Sequence, residues 1–355
     1  MDSSTPAPVR VAIVGATGYT GIELIRLLHN HPGVQLTVLG SRSAAGKRVC
    51  EVFPHVDMVT GQMRFAEFSL AEHADAADVF FLAMDNGRAM ELAPALLAKG
   101  RKIIDLSADY RLRDPEAYPV WYKFEHTSKD ILAEAVYGLP EVYGPQIRAA
   151  RVVANPGCYT TTSILALAPA MACKAVDPCN IIVDAYSGVS GAGRSKKSVD
   201  YLFTEVNDNA KAYAIGTHRH TPEIEQELSA VCGCDVRITF TPHLAPMTRG
   251  ILATCYAALQ TNETLPALHD FYEQFYADAP FVDVLPLGQF PSTQHVRGTN
   301  MCRMGLAMDP RTKRLIVVSA TDNLIKGAAG QAVQNLNIVI GYPETTNLPQ
   351  IALYP

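Results

Sequence analysis

Val9-Arg-Val-Ala-Ile-Val-Gly-Ala-Thr-Gly-Tyr-Thr-Gly21 is the stretch that decides the fold. Its first six residues form a β-type apolar run, and residues 19–29 continue with helical spacing. The glycines between them follow a GxxGxxG pattern, a departure from the common GxGxxG form. The physical roles still apply. Gly15 permits the tight turn, Gly18 lets backbone N–H groups approach a pyrophosphate, and Gly21 lets helix and strand pack closely. Gly15, Thr17, Gly18, Tyr19, Thr20 and Gly21 are therefore the expected pyrophosphate cradle, with a helix N-terminus facing the anion. A tight strand-to-helix turn with no ligand is the plainer alternative.

Outward from this loop, strands and helices alternate through the first half. Residues 34–39, 79–83, 102–106 and 151–154 read as strands, and residues 87–98 have helical spacing with Gly100 placed to stop them. This pattern predicts an α/β fold with a Rossmann-type, doubly wound parallel sheet. After residue 155 the pattern changes. Strands are expected at 181–186, 236–241, 250–259, 303–308 and 315–319, with helices at 222–232 and 265–277. That predicts a second α+β domain with a mainly antiparallel or mixed sheet. The expected division is an NADP-binding domain at 1–155, a catalytic and oligomerisation domain at 156–323, and a C-terminal helical segment at 324–355 returning to the first domain.

Bulk composition sets limits on function. The chain has 355 residues, 48% of them hydrophobic and 18% charged, which is globular composition with room for two cores. A formal net charge of −5 argues against nucleic acid as a partner. No apolar run is long enough for a membrane helix, and residues 1–9 lack the basic and apolar regions of a signal peptide. The eight cysteines then read as reduced thiols, and a cytoplasmic location is expected. Cys232-Gly-Cys234 is a lone CxC that reads as a loop, and no metal site is expected.

The second strand bears on the cofactor. An NAD site usually carries an acid about 20 residues beyond the glycine loop, to bond the ribose hydroxyls. Here the strand runs out into Leu39-Gly-Ser-Arg-Ser43, with no acid and an arginine between two serines. Arg42 with Ser41 and Ser43 suits a 2′-phosphate through charge-assisted bonds, which favours NADP. A solvated loop arginine is the alternative.

Asn155-Pro-Gly-Cys158 follows an apolar strand and precedes a helical stretch at 160–167. Cys158 would stand at a helix N-terminus, where the macrodipole favours the thiolate. A thiol nucleophile needs a base, and later an acid for the developing alkoxide. His218-Arg-His220 precedes Thr221-Pro-Glu223, with Thr221 as a credible N-cap and Pro222 at the first helical position. Either histidine suits the acid–base role, Glu223 can orient one of them, and an HxH zinc site would need a third ligand. Ser187, Gly188 and Gly191 lie in a Gly/Ser-rich loop able to approach a cofactor closely. Arg194 and Lys197, with Lys196 between, are phosphate ligands or solvated charges. Arg111 or Arg249 suits a substrate carboxylate, and Asn155 is a further substrate candidate.

Taken together, these segments resemble a known family. Gly15 to Gly21, Leu106-Ser-Ala-Asp-Tyr-Arg111, Tyr137-Gly-Leu-Pro-Glu141, Asn155 to Cys158, Ser187 to Gly193, His218 to Glu223, Thr241 to Gly250 and Asp322-Asn-Leu-Ile-Lys-Gly327 are similar, in order, to the N-acetyl-γ-glutamyl-phosphate reductases of arginine biosynthesis. The related aspartate-semialdehyde dehydrogenases share the glycine loop and a cysteine but lack the paired-histidine segment. The resemblance implies an acyl-phosphate substrate and a Cys158 thioester reduced by NADPH. It implies a histidine from the 218–220 segment as proton carrier, and inorganic phosphate as the released group. It also implies nicotinamide-side contacts from Asn323 and Lys326, and a homodimer or homotetramer. The competing readings are a reductase of another acyl phosphate (aspartyl, or carrier-bound glutamyl or aminoadipyl), a non-catalytic NADP-binding sensor, and an interaction protein whose loop holds no nucleotide.

Overall fold

The computed structural model describes residues 7–56 and 58–354; the Ser/Pro-rich residues 1–6 lie outside it. The chain divides into two compact units. The first holds the described part of residues 1–119 together with 124–156 and 329–348, and the second holds 120–123, 157–328 and 349–354.

The first unit is built on seven parallel strands. They are β1 (Val9–Val14), β2 (Val34–Gly40), β3 (Phe65–Ala66), β4 (Val79–Leu82), β5 (Lys102–Asp105), β6 (Val136–Tyr137) and β7 (Val152–Ala154), in the order β3-β2-β1-β4-β5-β7-β6. Strand order reverses beside β1, which puts the Gly15–Gly21 loop at the switch point where open α/β sheets bind ligands. Strands β4 and β7 are buried throughout, which is why they read as unbroken apolar runs. Two-residue strands such as β3 and β6 carry too few positions for a periodic signal.

Helix α1 (Tyr19–Leu28) buries Leu24, Ile25, Leu27 and Leu28 on one face. Helix α2 (Ala89–Ala98) starts two residues later than its spacing predicts. Gly87 has a φ of 87°, and the buried Asp109 carboxylate accepts from the N–H groups of Gly87 at 2.6 Å and Met90 at 3.1 Å. This carboxylate caps the helix from another part of the chain, which local sequence does not reveal. Helix α3 (Pro140–Ala149) bends at Tyr143.

The second unit has its own mixed sheet. Its strands are β8 (Val176–Ser187), β9 (Lys211–Ala212), β10 (Ile238–Leu244), β11 (Ile251–Leu259), β12 (Val282–Val284), β13 (Cys302–Asp309) and β14 (Arg314–Thr321), ordered β12-β13-β14-β11-β8-β10-β9. The pairs β8/β10 and β12/β13 are parallel and the others antiparallel. Strand β10 runs through Pro242, past the point where its sequence pattern suggests a stop, and His243 still pairs in register with Tyr186.

Helix α4 (Cys158–Ala172) crosses the core of this unit and is buried from Tyr159 to Met171. Pro169 lies inside it and cannot donate to the carbonyl of Leu165, four residues back. The Tyr276 hydroxyl donates there instead at 2.6 Å, and the Tyr272 hydroxyl donates to Ala166 O at 2.8 Å. Helices α5 (Thr221–Cys232) and α6 (Leu265–Phe275) pack against α4. A π-helical turn, Ile325–Ala329, then leads to α7 (Gly330–Val339), which belongs to the first unit. Among the described residues no helix is long and apolar enough to cross a membrane.

Helix α7 is buried along its whole length although it carries four amide side chains. Each needs partners. Asn335 Nδ2 donates to Gly138 O and Asn155 Oδ1, while Asn337 Nδ2 donates to Glu344 O and Thr346 O. His31 accepts from Gly33 N at Nδ1, so its proton sits on Nε2 and is donated to Asn337 Oδ1 at 2.8 Å. Replacing Asn337 by alanine removes the partner of the buried His31 ring and of two half-buried carbonyls, those of Glu344 and Thr346. Asn337→Ala is expected to lower stability by about 2–3 kcal/mol in urea unfolding. A loss below about 0.5 kcal/mol would mean that these bonds are not what holds α7.

Candidate active site

Each unit holds one group of the candidate side chains. In the first, Gly15 has a φ of 95°, and a Cβ there would lie 2.0 Å from Ala83 O. A Cβ on Gly21 would lie 2.5 Å from Gly15 O. Packing alone therefore requires both glycines. Gly18 differs, because a Cβ there would meet nothing closer than Gly15 O at 3.5 Å. The space over Gly18 is open, as a cradle for a phosphate needs, and the first-turn N–H groups of Tyr19, Thr20 and Gly21 belong to the same helix end. No acidic residue stands in that first turn.

The end of β2 meets this loop. Gly15 N and Ala16 N both donate to Gly40 O, Thr17 Oγ1 lies 2.9 Å from Ser41 Oγ, and Ser41 Oγ lies 3.4 Å from Ser43 Oγ. Arg42 stands exposed in the same turn. The structure thus brings together the glycine loop and the Ser41–Arg42–Ser43 segment. The residues present fit a nicotinamide dinucleotide.

In the second unit, Cys158 is the first residue of α4 and Gly157 is its N-cap. The Glu223 carboxylate, wholly buried, accepts from Gly157 N at 2.9 Å and from Thr160 Oγ1 at 2.9 Å. A carboxylate at a helix N-terminus is favourably placed. It also fixes the turn from which the cysteine side chain projects. His220 packs on the same turn, since a Cβ on Gly157 would lie 2.4 Å from His220 Nε2. On the other side, a Cβ on Gly327 would lie 2.8 Å from Cys158 Cβ. Two glycines far apart in sequence are thus needed to seat this cysteine and this histidine.

The two histidines are not equivalent. His220, rather than Thr221, is the N-cap residue of α5, and Thr221 is the first helical residue. His218 accepts from the His220 backbone N–H at Nδ1, 3.1 Å, so its ring proton sits on Nε2. Its ring lies edge-on to Tyr159, Tyr213, Phe240 and His220. Burial in this aromatic box, with Arg219 adding a smaller push, lowers the His218 pKa to about 4. His218 is neutral at physiological pH and holds its neighbour in place. The Tyr159 hydroxyl donates to His243 O and accepts from the Tyr213 hydroxyl. Tyr159, Tyr213 and Phe240 escape sequence reading, because aromatic residues at such spacings look like ordinary core.

Other sequence candidates take varied places. Ser187 ends β8 and is buried, and a Cβ on Gly188 would lie 2.7 Å from Thr248 O. Asn323 ties this loop down, with Nδ2 donating to Ser190 Oγ at 3.0 Å and Oδ1 accepting from Gly250 N at 2.8 Å. Gly191, Arg194 and Lys197 are exposed on the same loop. Lys326 is fully buried, with its ammonium 5.7 Å from the Phe281 ring centre. Arg249 lies 3.8 Å from the buried Asp322. In the first unit Arg111 donates to Asn155 O at 2.8 Å and Leu106 O at 3.0 Å. These bonds fix Arg111 as a brace between the ends of β5 and β7, with Asn155 accepting from Asn335.

Known proteins match both units. Residues 10–150 match the family model described as "Semialdehyde dehydrogenase, NAD binding domain", and residues 158–323 match "Semialdehyde dehydrogenase, dimerisation domain". The chain is 51% identical over 347 residues, 98% of this chain and 99% of the relative, to the N-acetyl-gamma-glutamyl-phosphate reductase of Pelotomaculum thermopropionicum. It is 52% identical over 345 residues, 96% of this chain and 97% of the relative, to that of Symbiobacterium thermophilum. Among solved structures, aspartate semialdehyde dehydrogenase II from Vibrio cholerae superimposes with a TM-score of 0.73 at 18% identity, covering 94% of this chain and 99% of its own. Aspartate semialdehyde dehydrogenase with NADP from Candida albicans gives 0.71 at 15% identity, covering 94% and 98%. At such identities the likeness is one of fold.

The depressed His218 pKa makes stability depend on pH. The folded state keeps His218 neutral down to about pH 4, while the unfolded chain takes up a proton near its ordinary value of 6.5. Stability from this group is full above pH 6.5 and falls as pH drops towards 4, by about 3 kcal/mol in all. His218→Gln is expected to remove that part of the acid destabilisation, read as the difference in urea midpoints between pH 7 and pH 4.5. An unchanged pH dependence would place His218 in a more polar environment than this one.

Proposed function

The chain belongs to the N-acetyl-γ-glutamyl-phosphate reductases, and we propose that Cys158 is the nucleophile of that reaction and NADPH its reductant. The observation that carries this reading is Cys158 at the first position of α4, with His220 seated on Gly157 and the Glu223 carboxylate on the Gly157 N–H. A helix N-terminus favours the thiolate, and a histidine beside it can take and return a proton.

The Cys158 thiolate attacks the acyl carbon of N-acetyl-γ-glutamyl phosphate, the bond to phosphate breaks, and a Cys158 thioester forms. NADPH, when held at the glycine loop, would supply the hydride for reduction of this thioester to a thiohemiacetal on the Cys158 sulfur. His220 is the acid–base residue. It takes the proton of the Cys158 thiol in the first half, gives it to the alkoxide that forms on reduction, and takes it back as the thiohemiacetal collapses to the semialdehyde and the free thiolate. Its Nε2 lies against the Cys158 turn, whereas His218 is committed to holding the His220 backbone N–H. Glu223, three residues on, is assigned to positioning His220, since its bond to Gly157 N ties the start of α5 to the turn that bears Cys158. The first-turn N–H groups of α4 face the developing oxyanion.

The 2′-phosphate of NADP is assigned to Arg42 with Ser41 and Ser43, because no acid ends β2 and Arg42 is an exposed cation there. The pyrophosphate is assigned to the Gly15–Gly21 turn. Arg249 is preferred over Arg111 for the substrate carboxylate, since Arg111 already serves two main-chain carbonyls. Arg194 and Lys197 are assigned to the phosphoryl group, being exposed cations on the loop that Asn323 fixes. The assembly is a homodimer or homotetramer, with Ile182 and Tyr186 of β8 and the exposed Leu202 and Phe203 as apolar contact surface.

The test is phosphate-dependent NADP⁺ reduction with N-acetylglutamate semialdehyde. Cys158→Ser is expected to lower kcat by about 10³-fold or more with NADP binding retained; equal rates would remove Cys158 from the chemistry. In the same assay Arg42→Ala is expected to raise KM for NADP⁺ by about 10- to 100-fold and leave NAD⁺ unaffected. An equal effect on both cofactors would place the 2′-phosphate elsewhere.

A further inference from the structure

Away from the nucleophile, the C-terminal end of α5 carries two cysteines in contact. Cys232 is the last helical residue, and Gly233 closes the helix in the left-handed region, with φ 73° and ψ 23°. Glycine takes this conformation without strain. The Gly233 N–H donates to Ser229 O at 2.9 Å, and Ser229 Oγ accepts from Val236 N at 2.9 Å, so both sides of the turn are fixed. This reversal folds Cys234 back over Cys232. The two Sγ atoms lie 3.0 Å apart, and both thiols are free.

The geometry points to a dithiol redox site at Cys232 and Cys234, which closes to an intramolecular disulfide on reaction with a low-molecular-weight disulfide such as glutathione disulfide. The backbone already holds the two sulfurs within about one ångström of bonding distance. Access is open on one side. Cys234 is exposed, Cys232 is buried behind it, and no atom lies within 4 Å of where a Cβ on Gly233 would stand.

The exchange balances as follows. The Cys234 thiolate attacks one sulfur of the small disulfide, whose S–S bond breaks, and one small thiol leaves as thiolate. Cys232, giving up its proton, attacks Cys234 Sγ; the mixed disulfide breaks, and the second small thiol leaves. Two protein thiols are oxidised, one small disulfide is reduced, and the two protons pass to the departing thiolates. The contact with Cys232, with desolvation adding to it, pushes the Cys234 thiol up. Exchange is therefore slow and needs an excess of oxidant.

A soft-metal site is the competing use of such a pair. Cys179 is near enough to act electrostatically on Cys234. Yet among the described residues the only group of three metal-capable side chains with ligand atoms within 4.8 Å of one another is His269, Asp270 and Glu273. Two sulfurs in contact suit a covalent bond, not a coordination shell. The pair also stands at the far end of α5 from Glu223, roughly 14 Å along the helix axis. Closing the bond therefore leaves the catalytic turn untouched.

The test treats the purified enzyme with excess glutathione disulfide, blocks remaining thiols with an alkylating agent, and maps the peptides by mass. The expected product is a peptide that has lost two hydrogens, with Cys232 and Cys234 joined, which returns to two alkylated thiols after dithiothreitol. Cys234→Ser, at an exposed position, is expected to give no internal disulfide at Cys232. Alkylation of both cysteines after treatment, or a glutathione adduct on Cys234 that does not close, would overturn the proposal.

Discussion

One buried carboxylate organises the second unit. Glu223 has no exposed surface and accepts from both Gly157 N and Thr160 Oγ1, so the start of α5 holds the start of α4. Everything at the reactive end follows from this junction. It gives α4 an N-cap partner that Gly157 cannot supply itself, and it turns Cys158 out at the first helical position. Through the short step from residue 220 to residue 223 it brings His220 onto Gly157. A buried charge of this kind is costly unless hydrogen-bonded, and here its donors lie at the positive end of a helix dipole. The helix end that makes the carboxylate tolerable is the one that, on the proposed reading, favours the Cys158 thiolate.

The rest of the second unit keeps that junction rigid. Helix α4 contains a proline and would lose a turn of carbonyl bonding at Leu165, but Tyr276 and Tyr272 fill the gap from α6. The aromatic box around His218 keeps that ring neutral and fixed, and His218 in turn anchors the His220 backbone. Asn323 ties the Ser187–Gly193 loop to the turn before β11. The pattern is one of polar side chains bonded to backbone across long sequence distances, which gives precision to residues in loops and caps.

What could be read from the sequence followed how local each feature was. The glycine loop, the apolar β1, β4 and β7, and the cysteine at a strand-to-helix turn are all written in consecutive residues, and fold class follows from them. Gly157 and Gly327 were visible as glycines, but the reason for each is a side chain 63 residues ahead or 169 residues back, at His220 and Cys158. Glu223 reads as a helper for a histidine, and its bonds to Gly157 and Thr160 add a tie across 63 and more residues that no local pattern encodes. Only the end of β10 is hidden by Pro242, and the start of α2 is shifted by a cap from Asp109. Lys326 looks like a cofactor contact in sequence, yet burial against Phe281 depends on packing that no local pattern encodes.

The central claim is a covalent acyl-enzyme at Cys158. It is tested most directly by mixing the enzyme with N-acetylglutamate semialdehyde and NADP⁺ in the absence of phosphate, quenching, and weighing the peptide that contains Cys158. The account predicts one NADPH released per chain in a burst, with an N-acetylglutamyl group on the Cys158 sulfur that phosphate removes. Continued NADPH formation with an unmodified Cys158, or an acyl group carried on another residue, would contradict it.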